Sequence, residues 1–494
     1  MDTNNQDTNQ PEVIIIGAGL AGLACAVHLH NWKIPFRILE ASDGIGGRVR
    51  TDSYQGYQLD RGFQIYLTAY PEGQRMLDYQ ALNLKSFARG AYIRYRGKWH
   101  RVSDPREQPL SIFRSLFSPI GTISDKLKFL PFHWSIIHEQ NDAIPAANSS
   151  VKSESPFATS PHHPPPVSPE NSSGSNKEIL TLDELRWRGK FSEAMIQRFF
   201  QPFFGGVFLE SELSTSNRFF RFVYRMFASG VGAIPEKGMQ AIPEQLKNRL
   251  PIGSIQLNTE ISKIEGRTVF TSQGEAISAK AIVVATSGPR AAKLLPEKID
   301  STNSQLDILK MPTTDHSSNN GYSSNHLFIE DPGSRSNTTL YYAAPKFSFT
   351  EPILLLNGDR KGYINSLVDL SAVAPSYAPT GMHLLSISVI GIPPLDDQAL
   401  DLAIRQQASE WFGQECQAWQ LVKIYRIPHA LPEKIMRAQN NRIPVKSRLY
   451  PGLYICGDYC ETASINGALV SGFRAAQAVS EDLDRYKANT SSIN

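Results

Sequence analysis

Four consecutive β-branched residues, Val13–Ile16, begin the ordered pattern of the chain, and such an unbroken apolar run fits a strand buried on both faces. From Leu20 to His30 the apolar positions shift to helical spacing. Phe36–Leu39 then reads as a second short strand, after a turn at Lys33–Pro35. Tyr92–Trp99 interleaves aromatic and basic residues as a hairpin of a second domain would, and Leu182–Phe227 is helical in pattern and rich in Phe. Ile255–Ile264 and Ala281–Ala285 return to strand character, and Gly381–Gly391 has the look of a core strand. The pattern closes on a short apolar strand, Leu453–Cys456, and on helical spacing from Ile465 to Val479. Two stretches fall outside it. Asn141–Lys177 is rich in Ser, Pro and Asn and too poor in large apolar side chains to offset its ordering entropy, so a disordered insertion is expected there. Ser301–Thr339 is polar as well and is expected to be a mobile loop region.

Gly17, Gly19 and Gly22 stand between the first strand and the first helix as G-x-G-x-x-G. Gly17 permits a tight turn, Gly19 lets backbone approach a pyrophosphate, and Gly22 lets the helix pack closely on the strand. Leu20 and Ala21 open the helix, whose free N–H groups and partial positive charge favour phosphate. Glu40, followed by Ala41, ends the second strand near the ~20-residue spacing expected of a carboxylate that binds a ribose diol. A glycine-rich turn without a ligand is the bland reading, and this strand–helix–carboxylate context argues against it. Gly46, Gly47 and Arg48 then add a second glycine turn and a fixed cation, which suits a long diphosphate cofactor touched at several points. FAD fits that better than NAD. At the other end Gly457 and Asp458 terminate the last strand, and Ile465 opens a helix carrying the small residues Gly467, Ala468, Ser471 and Gly472.

These residues resemble the flavin-containing amine oxidase and phytoene (carotenoid) desaturase superfamily of FAD-dependent oxidoreductases. Its signature is the glycine fingerprint followed by E-x(5)-GG-[RK], here Glu40 through Arg48, and Pro235–Pro243 resembles its P-x-x-G-M-x-x-[IL]-P element. The resemblance implies tightly bound FAD, with Asp458 on its ribityl–phosphate part. It also aims the last helix at the pyrimidine edge, where hydride arrival leaves negative charge. The branch stays open. Asp458-Tyr459, Ser464–Gly472 and Gly62–Pro71 look like plant-type carotenoid desaturases, although Asn466 stands where those carry a carboxylate and Gln64 replaces their ring. Amine oxidases usually carry an aromatic residue shortly before the last helix, and Thr462–Ala468 has none. The resemblance puts Gln64, Tyr66 and Asn466 beside the flavin. Positioning is the role expected of them, because none has an evident partner to shift its pKa; for Tyr66 plain packing is the alternative.

At 494 residues the chain suffices for two intertwined domains with substantial cores. The expected class is α/β: a Rossmann-type FAD-binding domain with a doubly wound parallel sheet, interleaved with a mixed-sheet α+β substrate domain. FAD-binding segments are expected at 11–75, 236–295 and 446–486, substrate-domain segments at 76–140, 179–235 and 296–445, and the insertion at 141–178. A net charge of +3 calls for no nucleic-acid partner. Four cysteines make no disulfide framework, and neither they nor His28 and His30 stand at zinc spacing, so no metal is expected. The polar, acidic start resembles no secretory or transit signal, and no apolar run approaches ~20 residues, which leads to the expectation of a cytoplasmic protein. Ser111–Phe117 and Lys126–Trp134 mix large apolar residues with Lys and Arg, as a segment lying on a bilayer surface does. A helix packed on the substrate domain is the competing reading.

Three function classes follow. The first is removal of two electrons, as hydride, from a small hydrophobic substrate of isoprenoid or carotenoid kind, with quinone or oxygen as acceptor. The second is amine oxidation to imine and hydrogen peroxide. The third is a non-catalytic or isomerase-like flavoprotein, since a fold alone does not give function.

Overall fold

All four residues of Val13–Ile16 are buried, because the strand has sheet neighbours on both edges and covered faces on both sides. The structure is a computed structural model describing residues 11–103, 118–138, 179–295, 331–433 and 447–491. Val13–Ile16 pairs in parallel with Phe36–Leu39 and with Ala281–Val284. The whole six-stranded sheet runs Ile255–Gln256, Phe36–Leu39, Val13–Ile16, Ala281–Val284, Leu453–Ile455, Arg448–Tyr450, with the last strand antiparallel. Val13 and Ile15 face the side where the helices Leu20–Asn31 and Ile465–Ser491 pack together, while Ile14 and Ile16 face Ile261 and Val269 of a small antiparallel sheet. Both faces are therefore dry, as an all-apolar strand requires. Three chain segments distant in sequence meet here, as expected of an interleaved FAD-binding domain.

The second domain is built on a seven-stranded mixed sheet in the order Gln420–Pro432, Ser334–Ala344, His383–Ile390, Ser366–Asp369, Leu354–Asn357, Gly90–Tyr95, Lys98–Ser103. The predicted hairpin and the predicted core strand are both in it. One face of this sheet, with Leu340, Tyr342, Leu385 and Ile387, packs on the helix Asp397–Phe412 and on Trp419. The other face looks toward the Phe-rich helices Gln201–Phe208 and Asn217–Ser229, which share a core with Tyr341 and Val368. The helical run from Leu182 is interrupted by two π-helical turns, Glu184–Arg188 and Ile196–Phe200.

The mobile loop expected over Ser301–Thr339 needs correction where the structure describes it. Ser334–Thr339 is the first half of an eleven-residue strand with antiparallel partners on both sides, and Asn337, Thr338 and Thr339 are buried. Their polarity reflects hydrogen bonding inside a wall, not solvent. The earlier part of that stretch, the insertion at 141–178, and Ser111–Phe117 lie outside the described residues.

Lys126–Trp134 falls within one helix, Ile123–His138. Phe132 and Ile136 are buried against the substrate domain, so the packing face exists. Ile123, Leu127, Leu130 and Trp134 project outward and are 58%, 67%, 55% and 60% exposed. Among the described residues no helix is long and apolar enough to cross a membrane.

Candidate active site

A cavity of about 550 Å³ is lined by the glycine turn at one end and by the seven-stranded sheet and its two Phe-rich helices at the other. At the first end Gly17 has a φ of +106°, which a side chain rarely adopts, and a Cβ on Gly22 would stand 2.1 Å from the Gly17 carbonyl oxygen. A Cβ on Gly19 would meet nothing within 4 Å, so this glycine borders open cavity. The turn is thus held by Gly17 and Gly22 and left free to receive a ligand at Gly19, as the fingerprint predicts.

Glu40 is anchored to this turn. One carboxylate oxygen accepts from the Ala18 N–H at 2.6 Å, and the other accepts from the Ser42 N–H at 2.9 Å and the Ser42 hydroxyl at 2.7 Å. Ala41, Gly46, Gly47, Leu20 and Ala21 share the lining. Arg48 spans the middle. Its guanidinium donates to Asp458 Oδ1 at 2.6 Å and to the Ala430 carbonyl at 3.0 Å, joining the first segment to the last. Gly457, Asp458 and Ile465 line the same wall, and the Gly457 N–H donates to the Ser471 hydroxyl at 3.0 Å, tying the strand end to the final helix. These residues form one continuous track with cation, carboxylates and free backbone, which fits an extended dinucleotide such as FAD.

The residues expected beside the flavin divide. Gln64 lines the cavity, with its amide donating to the Arg48 carbonyl at 2.8 Å. Tyr66 does not line it. Tyr66 is fully buried behind the wall, hydrogen-bonded hydroxyl to hydroxyl with Tyr79 and edge-on to Tyr70, so it is the packing residue. Asn466 is displaced as well. Its side-chain oxygen accepts from the Glu72 N–H at 2.9 Å, which ties it to the short helix Pro71–Met76 and leaves it outside the cavity lining. Tyr70 and Ser464 stand at the wall instead. Burial pushes the Tyr70 phenol above its usual range, so it stays protonated.

Beyond Gln64 the cavity is walled by Phe203, Val207, Phe219, Val223 and Phe227 from the helices and by Leu354 and Leu356 from the sheet. Asn337, Asn365, Ser366 and Ser388 complete it. The sequence reading passed over these four, although alternate polar positions in Ser386-Ile387-Ser388 and Asn337-Thr338-Thr339 are the mark of one polar strand face. The charged lining residues are Glu40, Arg48, Arg61, Glu260, Arg290 and Asp458. None comes from the Phe-rich helices or from the sheet strands facing them. No cysteine lines the cavity, and all four are buried. Among the described residues no group of three or more His, Cys, Asp or Glu side chains could hold a metal ion.

Comparison with known proteins accords with this geometry. The model for flavin-containing amine oxidoreductases matches residues 20–480. Lysine-specific histone demethylase 2 of Homo sapiens is 54% identical over 61 residues, covering 12% of this chain and 7% of the demethylase. The putative protoporphyrinogen oxidase of Exiguobacterium sp. 255-15 superposes with a TM-score of 0.64 at 17% identity, over 97% of this chain and 99% of that one. Wild-type putrescine oxidase bound to putrescine gives a TM-score of 0.57 at 16% identity, over 95% and 99%. The chain therefore belongs to the flavin-containing amine oxidoreductase family, as an oxidoreductase whose cofactor is FAD.

Proposed function

We propose that the protein takes hydride from a neutral, largely apolar substrate, of isoprenoid or carotenoid kind, and passes the electrons to quinone or oxygen. One observation carries this. The half of the cavity beyond Gln64 is walled by Phe, Val and Leu side chains with neutral polar residues, and its helices and sheet contribute no charged group. A protonated amine entering there loses its hydration without gaining a counter-ion. FAD, when bound, supplies the hydride acceptor. The chain's own part is to hold the diphosphate on Gly17, Gly19 and Arg48, to grip the ribityl region with Asp458, and to keep water from the reacting carbon with the Phe roof.

A flavin amine oxidase, forming imine and hydrogen peroxide, is the second reading, and the family match supports it. Anaerobic bleaching of the flavin separates the two. Reduction by carotenoid precursors and indifference to monoamines and polyamines is the expected result. Fast bleaching by amines, with peroxide formed in air, would replace the first reading by the second.

We further infer a peripheral membrane contact through the outward face of Ile123–His138. Four large apolar side chains lie along it, and Lys126 and Lys128 are interspersed.

A further inference from the structure

Three neighbouring strands place hydroxyl residues side by side in the seven-stranded sheet. Thr339 is the register partner of Ser388, and Ser388 is the register partner of Ser366. The rung runs on to the apolar Leu356 at one end and, at the other, to Tyr425, whose hydroxyl donates to Asp52. Ser366, Ser388 and the adjacent Asn337 are buried residues that line the cavity opposite Phe203 and Phe227. Ser388, Asn337 and Thr339 are wired together. The Ser388 hydroxyl donates to Asn337 Oδ1 at 3.1 Å, and the Asn337 amide donates to the Thr339 hydroxyl at 2.9 Å. Those two bonds use one N–H and one lone pair of the Asn337 amide, which has a second of each. The Ser366 hydroxyl has no hydrogen-bond partner among the described residues, yet it borders the cavity.

Burying polar groups in a wall that faces aromatic rings is unfavourable unless a partner satisfies them. A pure hydrocarbon would leave Ser366 and the spare Asn337 N–H facing apolar surface, and an ammonium would find no carboxylate. We propose that the Asn337–Ser388–Ser366 floor binds a neutral oxygen, hydroxyl or carbonyl, on an otherwise apolar substrate. This rests on the neutral-substrate reading above and adds the feature of the molecule that the site recognises. The oxygen accepts from the Asn337 amide or Ser366 hydroxyl and, if a hydroxyl, donates in return. The apolar body lies against Phe203 and Phe227. A site built to hydrogen-bond a substrate oxygen discriminates strongly against the analogue that lacks it.

Three probes of one size test this on the FAD-loaded protein: geranylgeraniol, the hydrocarbon lacking its hydroxyl, and geranylgeranylamine. Perturbation of the oxidised flavin spectrum reads affinity without requiring turnover. The alcohol is expected to bind about tenfold tighter than the hydrocarbon and the amine, since one good hydrogen bond corresponds to that factor. In Ser366→Ala and Asn337→Leu the preference over the hydrocarbon should fall to within about threefold, with FAD content unchanged. Should Asn337→Leu fail to fold, Ser366→Ala carries the test alone, because it removes a single hydroxyl. Equal binding of alcohol and hydrocarbon, or no response to any probe, overturns the oxygen anchor and leaves the neutral-substrate reading in place. Tightest binding by the amine overturns both.

Discussion

The Glu40 carboxylate accepts from the backbone of the glycine turn and of Ser42, so in the proposed placement of FAD loop geometry and ribose recognition share one side chain. In Glu40→Gln an NH2 must face either the Ala18 N–H or Ser42, and a charged acceptor is lost. FAD affinity is expected to fall by about 1–3 kcal/mol, read by titrating the apoprotein with FAD. A change below threefold would remove Glu40 from the cofactor site. Asp60 is a buried carboxylate with a structural task. It accepts from the Thr51 hydroxyl at 2.5 Å, the Met239 N–H at 2.9 Å and the Tyr377 hydroxyl at 2.9 Å, while its carbonyl accepts from Tyr341. Burial outweighs these donors and raises its pKa to about 6. The folded state therefore holds this proton more tightly than the unfolded chain, and stability linked to Asp60 falls as pH rises from about 4 to 6. Melting temperatures across that window should show a downward trend in wild type that flattens in Asp60→Asn. Parallel profiles would mean that Asp60 does not titrate there. Residue-level legibility was uneven for a physical reason. The fingerprint glycines, Glu40 and Arg48 act through chain-local geometry, which spacing reveals. Tyr66 lies in a two-residue strand and Tyr70 caps the short helix that follows, and spacing does not encode which of the two rings turns to the cavity.

At the scale of elements, the parallel sheet was readable because Val13–Ile16 and Ala281–Val284 are apolar at every position, a pattern that only strands covered on both faces sustain. Ser334–Thr339 was misread for the converse reason. Asn337, Thr338 and Thr339 are buried and hydrogen-bonded within the sheet, and polarity alone does not distinguish a hydrogen-bonded interior from solvent. The final helix carries a further prediction. Asn466, in its first turn, accepts from the Glu72 N–H and so braces Pro71–Met76, the helix that follows the wall residue Tyr70. Asn466→Ala removes that acceptor and leaves a buried N–H without a partner, so a stability loss of about 1–3 kcal/mol is expected. Anaerobic flavin reduction by a substrate of the wild type should keep its rate constant within about threefold, since this effect is on the folded scaffold. A large drop in rate at unchanged stability would return Asn466 to the chemistry.

At the scale of the whole molecule, one helix looks both ways. Ile123–His138 buries Phe132 and Ile136 against the substrate domain and turns Ile123, Leu127, Leu130 and Trp134 outward at spacings of four, three and four residues, one face of a helix. The composition of Lys126–Trp134 signalled both faces without separating them, because both are apolar. Lys126 donates to the Ser118 carbonyl and Lys128 to the Lys190 carbonyl, which fixes one cation on each flank of the helix. A surface of this kind gains from apolar insertion and from attraction to anionic headgroups, and the second term is screened by salt. The protein is therefore expected to float with phosphatidylserine-containing vesicles at low salt, less so at about 0.5 M salt, where the Debye length is a few ångströms. Leu127→Glu with Trp134→Glu should abolish flotation while FAD content and melting temperature stay at wild-type values, because both side chains are more than half exposed. If wild type fails to float at low salt, the packing face alone accounts for the helix. If the double variant floats as well as wild type, the contact lies elsewhere on the surface.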